Sequence, residues 1–266
     1  MDGVSYRIAT VGDNCMDVYE NIGKAYPGGN PVNVAVYIVR MGGEAAYTGI
    51  VGDDDYGKLM VKAIADKGVD VSHVRTEAGS TAVTHVQLVD GERVMGEYDE
   101  GVMANFSLRL EDIDFLGNHR LVVSALWGNA QGYFGEIRAK GAKIAYDAAT
   151  RPWDPAAQEA MPNVSYLFFS DDRGDMPETR ENMKKLQALG PELVVMTMGE
   201  KGSLAYDGKQ FFRGEIVPCE VVDTMGAGDS YIAGFLLGIS MDRSIPECMR
   251  MGAENSAVTI VYYVAW

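Results

Sequence analysis

Late in the sequence, the stretch DTMGAGDSYIAGF (223–235) sets Gly226, Ala227 and Gly228 between two aspartates, directly ahead of an apolar segment of helical character. Each glycine in a helix start costs roughly 1 kcal/mol relative to alanine, so a bare backbone here must serve another purpose. The first N–H groups of a helix have no partner within it, and the helix dipole adds partial positive charge there. With no side chains in the way, the amides of Ala227, Gly228 and Asp229 are free to converge on an anion. Such amides can hold charge on a group in transit, and a carboxylate beside them can orient and deprotonate a hydroxyl. Together these are the parts of a phosphoryl-transfer site. A second reading stays open on these residues alone, with Asp229 a first-turn capping carboxylate and the glycines there for close helix packing.

A second stretch, PGGNPVNVAV (27–36), places Gly28 and Gly29 before another helix and Asn30 and Asn33 at its start. Asn30 suits the cap and Pro31 the first turn. Paired glycines also allow close approach by a ligand, and asparagine amides offer donors and acceptors to sugar hydroxyls. Capping accounts for Asn30 but less well for Asn33.

The composition excludes several classes. A net charge of −15 over 266 residues argues against a binder of nucleic-acid phosphates, though a local nest of amides can still hold a small anion. Three separated cysteines (Cys15, Cys219, Cys248) and three histidines form no zinc pattern, and isolated thiols suit a reducing cytoplasm. The opening MDGVSYRIATVGDN lacks the layout of a signal peptide. No apolar run approaches the roughly 20 residues of a membrane span.

The elements that would position these residues read as an α/β alternation. Strands are expected at 6–12, 45–52, 120–126, 141–147, 164–170 and 192–199, and helices at 30–43 and 54–68. Apolar runs of this kind are buried on both faces, which implies a mostly parallel sheet between two helical layers. Val221 and Val222 look strand-like ahead of the glycine stretch. Two segments break the pattern. Residues 16–29 are polar and irregular, and 80–98 alternate, with Thr84, Val86 and Leu88 on one face and Asp90-Gly91 as a hairpin turn. That ribbon reads as an edge hairpin, a lid or a dimer contact. No linker marks a boundary, so residues 1–266 are expected to form a single domain.

GGNPVNVAV and DTMGAGDSYIAGF, in that order and about 195 residues apart, resemble the two signatures of the ribokinase-like (PfkB) carbohydrate kinases. VGDNCMDVY (11–19), VGDDDYG (51–57) and TMGEKG (197–202) support the resemblance, which covers essentially the whole chain. It implies a ribokinase-like three-layer sandwich with a small β lid built from segments near 14–29 and 80–105. Asp229 matches the catalytic base, and Gly226, Ala227 and Gly228 the anion hole. Asp17 matches an aspartate holding sugar hydroxyls, beside Gly28, Gly29, Asn30 and Asn33. Thr197, Gly199 and Gly202 match a segment along the ATP site, and Asp223 and Thr224 a monovalent cation site that would take K+.

The sequence departs from the family where many members carry Asn-x-x-Glu to organise the Mg2+ water shell; here it reads Ser170-Asp171-Asp172-Arg173. Asp171 or Asp172 is a candidate replacement, and a solvated acidic turn is the alternative. Further details, including DGERVMGEYDEGVMANF, SALWGNA and the final AW, resemble the branch of the family that acts on fructosamines. A fructosamine carries a zwitterionic amino-acid tail, for which Arg93, Glu97, Asp99, Glu100, Asp147, Arg151 and Trp153 are candidates; each also reads as a surface group. Trp127 reads as core packing. The resemblance also implies a homodimer formed through the lid. Fructokinase-type or 2-keto-3-deoxygluconate kinase-type activity and a non-catalytic sugar-binding homologue remain alternatives. A dinucleotide-dependent oxidoreductase would need GxGxxG after the first strand, which VGDNCMD lacks.

Overall fold

Successive side chains of a strand point to opposite faces, and the apolar runs of this sequence fill both. The computed structural model describes residues 7–89, 92–263, 265 and 266. In chain order its elements begin with β1 (Arg7–Val11), β2 (Cys15–Tyr19), β3 (Lys24–Gly28), α1 (Asn30–Arg40), β4 (Glu44–Gly52), α2 (Asp55–Asp66) and β5 (Asp70–Glu77). They continue through β6 (Val83–Val89), β7 (Glu92–Asp99), α3 (Leu110–Gly117), β8 (Leu121–Ala125), α4 (Phe134–Ala139), β9 (Lys143–Asp147) and α5 (Pro155–Ala160). The remainder is β10 (Tyr166–Ser170), α6 (Pro177–Gln187), β11 (Leu193–Thr197), β12 (Ser203–Tyr206), β13 (Phe211–Gly214), α7 (Ala227–Ser240) and α8 (Ile245–Thr259).

The main sheet has nine strands in the order β13-β12-β11-β10-β9-β8-β1-β4-β5, parallel except where β12 meets β11 and β13. On β8, Leu121 and Val123 join a core with α1, α2, α7 and α8, while Val122 joins the opposite core with α3 to α6. On β10, Phe168 takes the first side, and Leu167 and Phe169 the second. The expected α/β/α sandwich is therefore present. The expected strands lie within one or two residues of those observed, because burial on both faces leaves no polar alternation to misread.

Two insertions depart from the alternation and pair with each other. β2 and β3 leave the chain between β1 and α1, β6 and β7 between β5 and α3, and they form a second sheet in the order β3-β2-β6-β7. Residues 16–29, expected to be irregular, are thus two antiparallel strands, with Asp17 opposite Tyr26. Their polarity reflects a sheet with exposed surface, not the absence of one. β2 runs parallel to β6, so the two excursions close on one another. The turn expected at Asp90-Gly91 lies outside the described residues. Val221 and Val222 belong to no strand and are exposed; the amide of Val222 donates to the carbonyl of Ile260 just after α8.

Asp54 joins the second helix to this insertion. It caps α2 by accepting from the Gly57 amide at 2.8 Å, and it also accepts from the Thr81 amide and hydroxyl ahead of β6. Thr81 and Gly57 hold its carboxyl below the ordinary aspartate value, against the opposing effect of burial. The sign follows: this contribution is present at neutral pH and is lost as pH falls through the depressed value. Asp54→Ala is expected to cost about 1–2 kcal/mol, or roughly 2–8 °C in melting temperature at neutral pH, with the deficit shrinking in acid. An unchanged melting curve at pH 7 would refute the cap's role.

Candidate active site

The strand order reverses about β1, which has β8 on one side and β4 on the other. Ligands of open α/β sheets sit outside the carboxyl ends of the strands at such a point. Three carboxylates converge here. Asp13 follows β1, Asp147 ends β9, and Asp229 opens α7. Asn30 Nδ2, at the start of α1, donates to both Asp147 Oδ2 (3.2 Å) and Asp229 Oδ1 (3.0 Å). One turn on, Asn33 Nδ2 donates to Asp229 Oδ2 at 2.7 Å. Both oxygens of Asp229 are thus aimed by α1.

The start of α1 differs from the sequence-based expectation. Asn30 does not cap the helix: Gly29 takes the cap position with no side-chain cap bond, and Pro31 lies in the first turn. The Asn30 amide nitrogen is spent on the carboxylates, and its backbone N–H is met by Asp13. Gly29 permits this contact. Its φ is +110°, and a Cβ would stand 2.7 Å from Asn14 Cα and 2.8 Å from the Asp13 carbonyl.

Crowded, buried carboxylates hold their protons more tightly than exposed ones. Burial first, then the charge of Asp147, pushes Asp229 up to about 7, against the pull of the Asn33 and Asn30 donors. Burial likewise pushes Asp147 and Asp13 up to about 6. One Asp13 oxygen has no hydrogen-bond partner among the described residues.

The glycine stretch makes the expected helix start with one change. α7 begins at Ala227, and its first internal bond runs from the Ser230 amide to the Gly226 carbonyl. The Ala227 amide, expected in the nest, instead donates to the Thr224 carbonyl at 3.2 Å. The amides of Gly228 and Asp229 precede the first internal bond, and around Gly228 no atom lies within 4 Å of an ideal Cβ. Asp223 Oδ1 accepts from the Met225 amide, so Asp223 and Thr224 both brace this turn.

The other sequence-predicted residues fall into separate groups. Asp17 lies buried on β2 of the small sheet, its Oδ2 2.9 Å from where a Cβ of Gly28 would stand. Thr197 ends β11 and its hydroxyl meets Ser170 at 2.7 Å, with Gly199 and Gly202 in the following turn. Arg93 lies on β7, but its side chain is outside the described residues. Glu97 and Asp99 are exposed on β7, with Asp99 bonded to His85, and Glu100 follows exposed. Arg151 pairs with Asp154, and Trp153 donates to Asn182. Trp127 is 48 % exposed, not core. Asp13 carries no local motif, but an acidic residue just past a parallel strand was a legible signal.

Residues 7–264 match the pfkB family carbohydrate kinases. The chain belongs to this family. This pfkB kinase is 45% identical over 260 residues to a fructoselysine 6-kinase of Shigella flexneri, a match covering 97% of this chain and 99% of the relative. It is 46% identical over 261 residues to the fructoselysine 6-kinase of Escherichia coli K12, covering 97% and 99% respectively. Its fold is that of an Arabidopsis thaliana ribokinase solved with ribose and ATP, with a TM-score of 0.87, 21% identity, and 97% and 94% of the two chains covered. The pfkB fold thus accounts for both the nine-stranded sheet and the small second sheet.

Proposed function

We propose that this carbohydrate kinase moves the γ-phosphoryl group of ATP to the 6-hydroxyl of a fructosamine such as fructoselysine, giving fructoselysine 6-phosphate and ADP. Near-full-length identity of 45–46% to two fructoselysine 6-kinases carries the substrate assignment. The geometry at Asp229 supports the reaction type. Asp229 takes the proton of the 6-hydroxyl as the new O–P bond forms and the bond from γ-phosphorus to the bridging oxygen of ADP breaks. The amides of Gly228 and Asp229 meet the charge on the phosphoryl group in flight. Asp17, Gly28, Gly29, Asn30 and Asn33 would hold the sugar, Arg93 its tail, and Thr197, Gly199 and Gly202 the nucleotide.

The described residues do not build a cage for Mg2+. Asp171, the candidate replacement for the family glutamate, is gripped through both oxygens by Arg173 at 2.7–3.1 Å. Among the described residues no three His, Cys, Asp or Glu side chains are grouped so as to hold a metal ion, Asp13, Asp147 and Asp229 included. Asp172, exposed beside Asp171, is the other candidate ligand, with nucleotide oxygens and water completing the shell of an ion that commonly keeps several waters. K+ beside Asp223 and Thr224, a cytoplasmic setting, and a homodimer joined through the small sheet belong to the same proposal. Assays with K+ replaced by choline, and sedimentation at assay concentration, test the ion and the dimer.

A coupled ADP-release assay over fructose, fructoselysine and other fructosamines tests the substrate. Fructoselysine is expected to show the highest kcat/KM; a preference for fructose would overturn the assignment. In the same assay, turnover is expected to rise with pH through an acid limb near 7, since Asp229 must lose its proton to act as base. A flat profile from pH 5 to 8 would contradict that role.

A further inference from the structure

One polar stripe of α1 faces the start of α7. Asn30, Asn33 and Tyr37 succeed one another at helical spacing, and each meets a group of the site or its surroundings. The two asparagines are held differently. Asn30 Nδ2 lies between two carboxylates, Asp147 and Asp229, so its amide can face only one way. Asn33 has one carboxylate, Asp229, on its nitrogen side. The two ends of an amide are nearly equal in shape, and a half-turn would present an oxygen to Asp229 in place of a donor.

What prevents that half-turn is Trp266. Its Nε1–H donates to Asn33 Oδ1 at 2.7 Å. An indole N–H is a donor only, so it accepts no arrangement but the one with the Asn33 oxygen toward it and the nitrogen toward Asp229. The neighbouring backbone secures the tryptophan. The buried Ala265 accepts from Tyr37 Oη at 2.6 Å through its carbonyl, one turn along the same helix. Lys67 Nζ lies 5.5 Å from the centre of the indole ring, a contact that does not use the N–H.

We propose that Trp266 is a positioning residue for phosphoryl transfer: its indole N–H fixes the orientation of the Asn33 amide and so keeps a hydrogen-bond donor on Asp229. The inference rests on Asp229 acting as the base. It adds a requirement contributed by a residue 233 positions beyond Asn33, with no place in either signature.

Trp266→Phe removes the N–H and keeps an aromatic ring in the seat. In steady-state kinetics it is expected to lower kcat about threefold to tenfold at pH 7, the scale of one lost hydrogen bond to a charged group, with both KM values within about twofold. Without its fixed donor Asp229 holds its proton more tightly, so the acid limb moves to higher pH and the deficit closes toward pH 9. In an Asn33→Ala background the same substitution is expected to add nothing, because the group it acts through is gone. A deficit of equal size at every pH, a deficit of equal size in the Asn33→Ala background, or no deficit at all would each overturn the proposal. The two levels separate through Asp229→Asn. If that variant keeps full turnover, the reading of Asp229 falls and this inference with it. If it is inactive while Trp266→Phe matches the wild type, only the role of Trp266 falls.

Discussion

Asp229→Asn is expected to cut turnover by about 10²-fold or more while leaving ATP affinity within a few-fold, the scale of a lost general base. The substitution preserves shape, and its amide oxygen can still accept from Asn30 or Asn33, whose donors reach Asp229 at 3.0 and 2.7 Å. What it removes is the capacity to take a proton. A second, opposite effect follows from the same burial. The Asp229 carboxyl is raised to about 7 in the folded chain, well above its ordinary value. A folded-state value above the unfolded one means that the native state binds more protons between about pH 4 and 7, so stability falls as pH rises through that window. Asparagine carries no such dependence. The variant is therefore expected to melt higher than the wild type at pH 8 and close to it at pH 4, a gain in stability at the expense of activity. Kinetics that stay near normal would remove Asp229 from the mechanism, and a lower melting temperature at pH 8 would refute the account of its burial.

How much of this was legible depends on whether a feature is local. The parallel strands announce themselves because runs such as RLVVSAL and VSYLFFS are apolar without interruption, as a strand covered on both faces must be. β2 and β3 do not, since their mixed residues pair in a sheet that forms only when β6 arrives from some sixty residues later. β5 and β13 do not, because they are the two edge strands of the main sheet, where partial exposure breaks the apolar run, and buried β12 does not because it is only four residues long. At the site, Gly226, Gly28 and Gly29 stand out because φ or close approach restricts which residues can occupy them. The partners of Asp229 are another matter. Asn33 had no satisfactory role as a cap, and its true contacts, Asp229 and Trp266, lie about two hundred residues away. Asp147 was readable only as one of several acidic residues until the strand order set it beside Asn30. Spacing reveals what a turn or a helix start requires; it says little about which strand ends will meet.

Gly226→Ala is the second large effect, and a comparison with Gly228→Ala separates its causes. Gly226 has φ +73°, and a Cβ there would stand 2.2 Å from Tyr37 Oη and 3.3 Å from Ala265 Cβ. The left-handed conformation alone costs an alanine about 1–2 kcal/mol. The clash adds about 1–3 kcal/mol, because Tyr37 is held by its bond to the Ala265 carbonyl and cannot simply swing aside. A total of about 2–5 kcal/mol corresponds to a fall of roughly 5–20 °C in melting temperature for a chain of this size. The same displacement would move residues 265 and 266, and with them the indole that bonds Asn33. Turnover is therefore expected to fall even at temperatures where the variant is fully folded. Gly228 is the converse case. Its Cβ would meet no neighbouring atom within 4 Å, and its φ is not positive, so alanine there should not lower the melting temperature and is expected to raise it slightly. If the open space beside Gly228 is where the phosphoryl group passes, that methyl still obstructs it, and Gly228→Ala loses activity without losing stability. If the glycines served helix packing alone, Gly228→Ala would be as active as the wild type, and the nest would have no claim on phosphate.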